Sequence, residues 1–121
     1  MTSRRPTALM NNSGRLAQLE ITEGIQMAAY FVAFVDIKDE EKFRAYQGVA
    51  GEAFATYGAK FLTRGGEHKM FEGPDETRTC VLVEFPSAEK AEAFWNSPEY
   101  QAAIKLREGA AELQVLMLES D

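Results

Sequence analysis

Phe61-Leu62-Thr63-Arg64-Gly65-Gly66, continuing through Glu67 to Gly73, reads as a β-strand that runs into a double glycine and resumes as a second short strand over Glu67 to Glu72. A glycine pair inside a strand pattern marks a bulge or a close backbone approach. Arg64 stands just before the break and Glu72 near the end of the stretch, so both are expected near a bend in a sheet, where a side chain can be aimed into a cleft. Which face of the strand Arg64 takes depends on the register at the bulge, because a one-residue slip turns every side chain over.

Upstream of this stretch, Ala29 to Ile37 forms a strand that is apolar on both sides: Tyr30, Val32 and Phe34 on one, Phe31, Ala33, Val35 and Ile37 on the other. Both faces of such a strand are expected to be buried. Asp39 can N-cap a helix whose Glu40 and Glu41 suit its positive end. Phe43, Tyr46, Ala50, Ala53, Phe54 and Tyr57 follow at helical spacing as one stripe, and Gly58 is placed to end the helix. Gly48 and Gly51 weaken this helix by roughly 1 kcal/mol each relative to alanine, a cost that close packing would explain.

Downstream, Gly73-Pro74-Asp75 is a turn and Thr77 to Phe85 a strand that Pro86 ends. Thr79, Val81, Val83 and Phe85 share one face of it; Arg78, Cys80, Leu82 and Glu84 share the other. Ser87 caps a helix carrying Ala91, Phe94 and Trp95. Ser97-Pro98-Glu99 starts another, with Tyr100, Ala103, Ile104 and Arg107 on its inner stripe and Gly109 at its end. Leu113 to Glu119 is the last strand, again apolar on both faces. The order β, α, β, short β, β, α, α, β predicts an α+β fold, the ferredoxin-like split βαβ arrangement, with an antiparallel sheet and its helices on one face. Helices on one face leave the other uncovered, and the simplest cover for its apolar residues is an identical subunit.

The chain of 121 residues, 45% of them apolar, has the size and composition of one domain. A net charge of −6 argues against the basic surface that nucleic acid needs. One cysteine, Cys80, and one histidine, His68, exclude an internal disulfide, a thiolate cluster and a multi-histidine metal site within one chain. Cys80 is expected as a small core residue and His68 as an exposed one. No membrane-spanning run and no export signal is visible, so a reducing cytoplasm is the expected compartment. Residues 1–26 are polar and aperiodic and read as a flexible N-terminal extension to a domain over residues 27–121. Thr22-Glu23-Gly24 can be encoded with GGAGG, a ribosome-binding sequence, which makes Met27 a candidate start.

Tyr57-Gly58, Phe61 to Gly66, Glu72-Gly73, Val83-Glu84-Phe85-Pro86-Ser87 and Ser97-Pro98-Glu99-Tyr100-Gln101, with Arg107 after them, together resemble the bacterial family called domain of unknown function 1330, from Met27 to about Glu119. The resemblance implies a dimeric α+β barrel, in which two ferredoxin-like subunits pack sheet against sheet. The wider fold group includes cofactor-independent quinone-forming monooxygenases, haem-degrading enzymes, lactone isomerases and stress-responsive binding proteins, and fold does not choose among them. Trp95 stands where the family often has tyrosine, a change that bears on a pocket wall.

The candidate ligand-binding residues are Arg64, Glu72, Tyr100, Arg107 and Tyr46. Arg64 suits an anionic or carbonyl-bearing ligand, or else an ion pair with Glu72 or another strand carboxylate. Glu72 is a general base if burial raises its pKa, and otherwise a partner for Arg64 or Arg78. Tyr46 and Tyr100 either pack in the core or line a cleft between helices and sheet. Arg107 either adds a second positive group or caps its own helix. Asp36 and Glu84 are expected to pair with nearby arginines. No metal, phosphate-loop or nucleophile–histidine spacing is present. The expected function is that of a small-molecule-binding homodimer without cofactor. The alternative is a cofactor-independent enzyme oxygenating or isomerising a small aromatic or lactone through Arg64 and Glu72.

Overall fold

The computed structural model describes residues 27–120. The expectations for the extension over residues 1–26, and with them the question of the Met27 start, lie outside the described residues. Seven elements follow one another: β1 (Ala29–Ile37), α1 (Glu40–Thr56), β2 (Lys60–Thr63), β3 (Thr79–Phe85), α2 (Ala88–Trp95), α3 (Pro98–Leu106) and β4 (Ala111–Glu119). They form one four-stranded antiparallel sheet in the order β2-β3-β1-β4. This is the ferredoxin-like arrangement, with the long, doubly apolar β1 in an inner position.

All three helices begin where the sequence supplies a side-chain acceptor for an otherwise unpaired amide. Asp39, Ser87 and Ser97 accept from the amides of Lys42, Lys90 and Tyr100, each at 3.1 Å. Each such cap contributes about 1 kcal/mol. Gly58 and Gly109 take φ of +77° and +78° after α1 and α3, a region that side chains with a Cβ avoid.

The register sorts the sheet residues into two faces. Phe31 lies opposite Val83 and Met117, and Ala33 opposite Val81 and Val115, so these share the face that the helices cover. There Phe85 and Phe94 are fully buried. Phe94 of α2 stacks on Phe54 of α1 with ring centroids 4.3 Å apart and meets Tyr100 of α3 at the same distance. One aromatic cluster thus joins all three helices to the sheet. The other face carries Val32, Leu82 and Leu116 in one row, flanked by Leu118. No helix among the described residues crosses it, and Leu116 and Leu118 are 40% and 54% exposed.

Two expectations are corrected here. The second short strand over Glu67 to Glu72 does not form; residues 64–78 are a connection without regular structure. A strand needs a partner, and β3 begins only at Thr79, so nothing lies opposite that segment. Cys80 is half-buried on the helix-free face rather than in the core. Gly48 and Gly51 have a plain reading as well. A Cβ at either would meet nothing within 4 Å, so close packing is not their reason.

Candidate functional site

A cavity of about 160 Å³ lies between α1 and the helix-covered face of the sheet. Its sheet wall is built from the cross-strand rows Phe31–Val83, Ala33–Val81–Val115 and Val35–Thr79–Leu113. Its helix wall is Phe43, Tyr46, Gln47, Ala50, Gly51 and Phe54 of α1, with Tyr100 of α3 behind them. The wall is apolar apart from Tyr46, Tyr100, Gln47, Thr79 and Arg64. Among the described residues it contains no carboxylate, histidine or cysteine.

Arg64 reaches this cavity because of the strand irregularity. Phe61 of β2 lies opposite Val83, but Thr63 lies opposite Leu82, so β2 holds one residue more than its partner between these positions. The extra residue reverses the alternation. Thr63 falls on the helix-free face and Arg64 on the helix side, where it lines the cavity rim. Its guanidinium carbon lies 3.9 Å from the Phe61 ring centroid, a cation–π contact. The irregularity therefore sits ahead of the glycine pair rather than at it. Gly65 itself takes φ of +103°, and a Cβ there would run into Thr79 Cγ2. Gly66 has open space around it.

Tyr46 and Tyr100 are both buried, and their hydroxyls approach to 2.7 Å. Helical spacing puts Tyr46 on the α1 stripe, and the Ser97 cap fixes the start of α3 three residues before Tyr100. Arg107, the residue that ends α3, donates Nη1–H to the Tyr46 hydroxyl oxygen at 3.4 Å and lies over its ring, 4.9 Å from the centroid. Burial, and after it the Tyr100 hydroxyl, push the Tyr46 phenol far above its ordinary pKa against the opposing pull of Arg107. Tyr46 is consequently a neutral hydrogen-bonding group at any working pH.

Of the five candidate residues, the structure brings Arg64, Tyr46 and Tyr100 to one cavity and places Arg107 one contact behind Tyr46. Glu72 is exposed in the 64–78 connection and outside the wall, and no ion pair joins it to Arg64 among the described residues. Arg78 pairs with Glu76 instead, at 2.8 Å, and its hydrogen bonds hold the Glu76 carboxyl down to about 2. His68 is exposed and its ring contacts the Glu76 carbonyl. Asp36 pairs with Lys38, and Glu84 accepts from the Tyr30 hydroxyl, so neither takes the arginine partner expected of it. Trp95 stands behind Tyr100, with ring centroids 5.2 Å apart, and is not itself part of the wall. Two rim residues escaped the sequence reading. Gln47 follows Phe43 by four residues, so helical spacing marks it for the same side. Thr79 shares a face with Val81 and Val83.

Among the described residues no group of three or more His, Cys, Asp or Glu side chains is placed to hold a metal ion, and no helix is long and apolar enough to cross a membrane.

Residues 28–120 match the family described as Domain of unknown function (DUF1330). The chain belongs to that family. Among solved structures, RPA0582, a protein of unknown function from Rhodopseudomonas palustris, has a TM-score of 0.65 and 24% identity over 79% of this chain and 84% of that one. A conserved protein of unknown function from Bacteroides thetaiotaomicron has a TM-score of 0.57 and 12% identity, covering 78% and 98%. SnoaB, a cofactor-independent oxygenase from Streptomyces nogalater, has a TM-score of 0.55 and 7% identity, covering 78% and 94%. At these identities the likeness is one of fold. No protein with a curated description matches the chain.

Proposed function

We propose that this DUF1330 protein is a cytoplasmic homodimer that binds a small, largely apolar organic molecule in the cavity between α1 and the sheet, without turning it over. The observation that carries this reading is the cavity wall. It is concave, mainly aliphatic and aromatic, and interrupted by a few hydroxyl, amide and guanidinium groups, which is the make-up of a small-molecule site. An apolar cavity of about 150 Å³ takes up benzene, so about 160 Å³ suits a single ring with small substituents.

The enzyme reading, which the fold shared with SnoaB invites, asks for a group that takes a proton from the substrate. The wall offers none. Burial pushes Tyr46 away from the phenolate, and Glu72 lies outside the cavity. Support for the dimer comes from the helix-free face, where Leu82, Val32 and Leu116 form an apolar row across β3, β1 and the edge strand β4, with Leu118 beside it. The single cysteine accords with a reducing compartment.

Native mass spectrometry of protein freshly purified from its own host tests both parts. The expected result is the mass of two chains with one small molecule retained per chain. A single-chain mass at micromolar concentration overturns the dimer. A bare mass from a protein that also fails to take up toluene or benzoate overturns the binding role.

A further inference from the structure

Around the Tyr46–Tyr100 pair, hydrogen-bond donors outnumber the groups that accept from them. Tyr46 and Tyr100 bring one hydroxyl proton each, and their 2.7 Å contact uses one of the two. Arg107, the remaining polar neighbour, can only donate. One hydroxyl proton is therefore left without an acceptor among the described residues, on side chains only 6% and 2% exposed. Buried donors are rarely left unsatisfied, because the group has given up its water. Among the described residues, Arg64 at the rim has no carboxylate partner and is the only charged side chain in the wall. A chain with a net charge of −6 thus gives its cavity a purely cationic rim.

An occupant must supply what the wall lacks: a negative charge for Arg64 and an acceptor atom for the tyrosine pair. The rest of the wall sets the middle of the molecule, since Phe31, Phe43, Phe54 and Phe61 surround a space of single-ring size. We infer that the cavity takes a single-ring aromatic carboxylate carrying a second acceptor oxygen, its carboxylate on Arg64 at the rim and its second oxygen on the free hydroxyl proton of the Tyr46–Tyr100 pair. The carboxylate belongs at Arg64 because the rim is exposed: the charge keeps part of its water there, whereas burial at the tyrosine pair would cost all of it. The planar guanidinium, already laid on Phe61, presents the fork that a carboxylate accepts. This inference rests on the reading of the cavity as a ligand site.

The test is calorimetric titration of the full chain with 3- and 4-hydroxybenzoate, benzoate and toluene, with toluene also followed by methyl and aromatic NMR shifts. The better hydroxybenzoate isomer is expected to bind about tenfold tighter than benzoate, and benzoate at least about tenfold tighter than toluene. Arg64→Ala should erase the preference for benzoate over toluene. Tyr46→Phe combined with Tyr100→Phe should erase the preference for hydroxybenzoate, whereas either change alone leaves one hydroxyl proton to donate. Toluene binding as tightly as benzoate, or benzoate binding unchanged by Arg64→Ala, overturns the inference and leaves the cavity as a ligand site. Failure of the unaltered protein to bind any of the probes overturns both. The comparison among probes on the unaltered protein stands even if the double variant does not fold.

Discussion

The two faces of the sheet are built from the same residue types and end in opposite states. On the helix-covered face Ala29, Phe31, Val83 and Phe85 are buried by helices of the same chain. On the other face Leu116 and Leu118 are 40% and 54% exposed, and Val32 and Leu82 on the adjoining strands are only half-covered. Hydrophobic alternation alone does not distinguish a face buried within the chain from one awaiting a second chain. Connectivity does, because right-handed crossovers commit every helix to one side. The first face carries the stability of the single chain; the second is the surface of the proposed dimer.

The largest effect that would test this division is Phe94→Ala. Its ring is fully buried and touches Phe31, Phe54, Phe85 and Tyr100. The loss should be about 3–5 kcal/mol in denaturant unfolding, partly independent of protein concentration. Leu116→Glu should instead leave the single chain folded and act on the dimer, by several kcal/mol, since it would bury an unpaired charge in the proposed interface. Analytical ultracentrifugation at micromolar concentration should show single chains of the variant. A dimer that survives Leu116→Glu breaks the comparison, and the helix-free face then has another role.

Gly65→Ala comes next. Its φ of +103° and the approach to Thr79 make the substitution unfavourable by roughly 1–3 kcal/mol in thermal or chemical melts. Gly66→Ala, with free space and no such φ, should be close to neutral. Gly48→Ala, on the exposed side of α1, should stabilise by roughly 1 kcal/mol without altering ligand uptake. The smallest effect belongs to acid. Glu76 has its folded pKa depressed to about 2 by hydrogen bonds from Arg78. Its contribution is therefore complete above the ordinary carboxylate value of 4.5 and is lost as pH falls from there through about 2. A carboxyl-carbon NMR titration of Glu76 should find its midpoint near the lower figure.

Much of the fold was legible because its signals are local. Asp39, Ser87 and Ser97 announced the helix starts, Gly58 and Gly109 two of the ends, and the Phe43–Tyr57 stripe the face of α1 that is buried. The short strand over Glu67 to Glu72 was misread because strand formation depends on a partner, and no local pattern reveals that β3 starts too late to provide one. The site was legible in part. Tyr46 and Tyr100 lie on stripes that had to converge on the sheet, but their direct contact depends on how α1 and α3 cross. Glu72 was placed beside Arg64 on the assumption of a continuing strand. Once that strand is absent, the two residues have no reason to meet.

The extra residue in β2 makes the chemistry of the cavity rim a matter of parity. With the extra residue the cation turns inward; were the same sequence paired regularly from Phe61 onward, Arg64 would fall opposite Cys80 on the helix-free face, and Thr63 would take its place at the rim. Removing Leu62 would straighten the strand and still leave Thr63 opposite Leu82 and Arg64 on the helix side, whereas one residue inserted after Thr63 would turn the cation to the helix-free face without substituting any residue of the wall. Insertions and deletions at an edge strand are commonly regarded as wear on the periphery of a fold. Here a single-codon insertion after Thr63 would switch the rim between a cation and a neutral group, in a single genetic step.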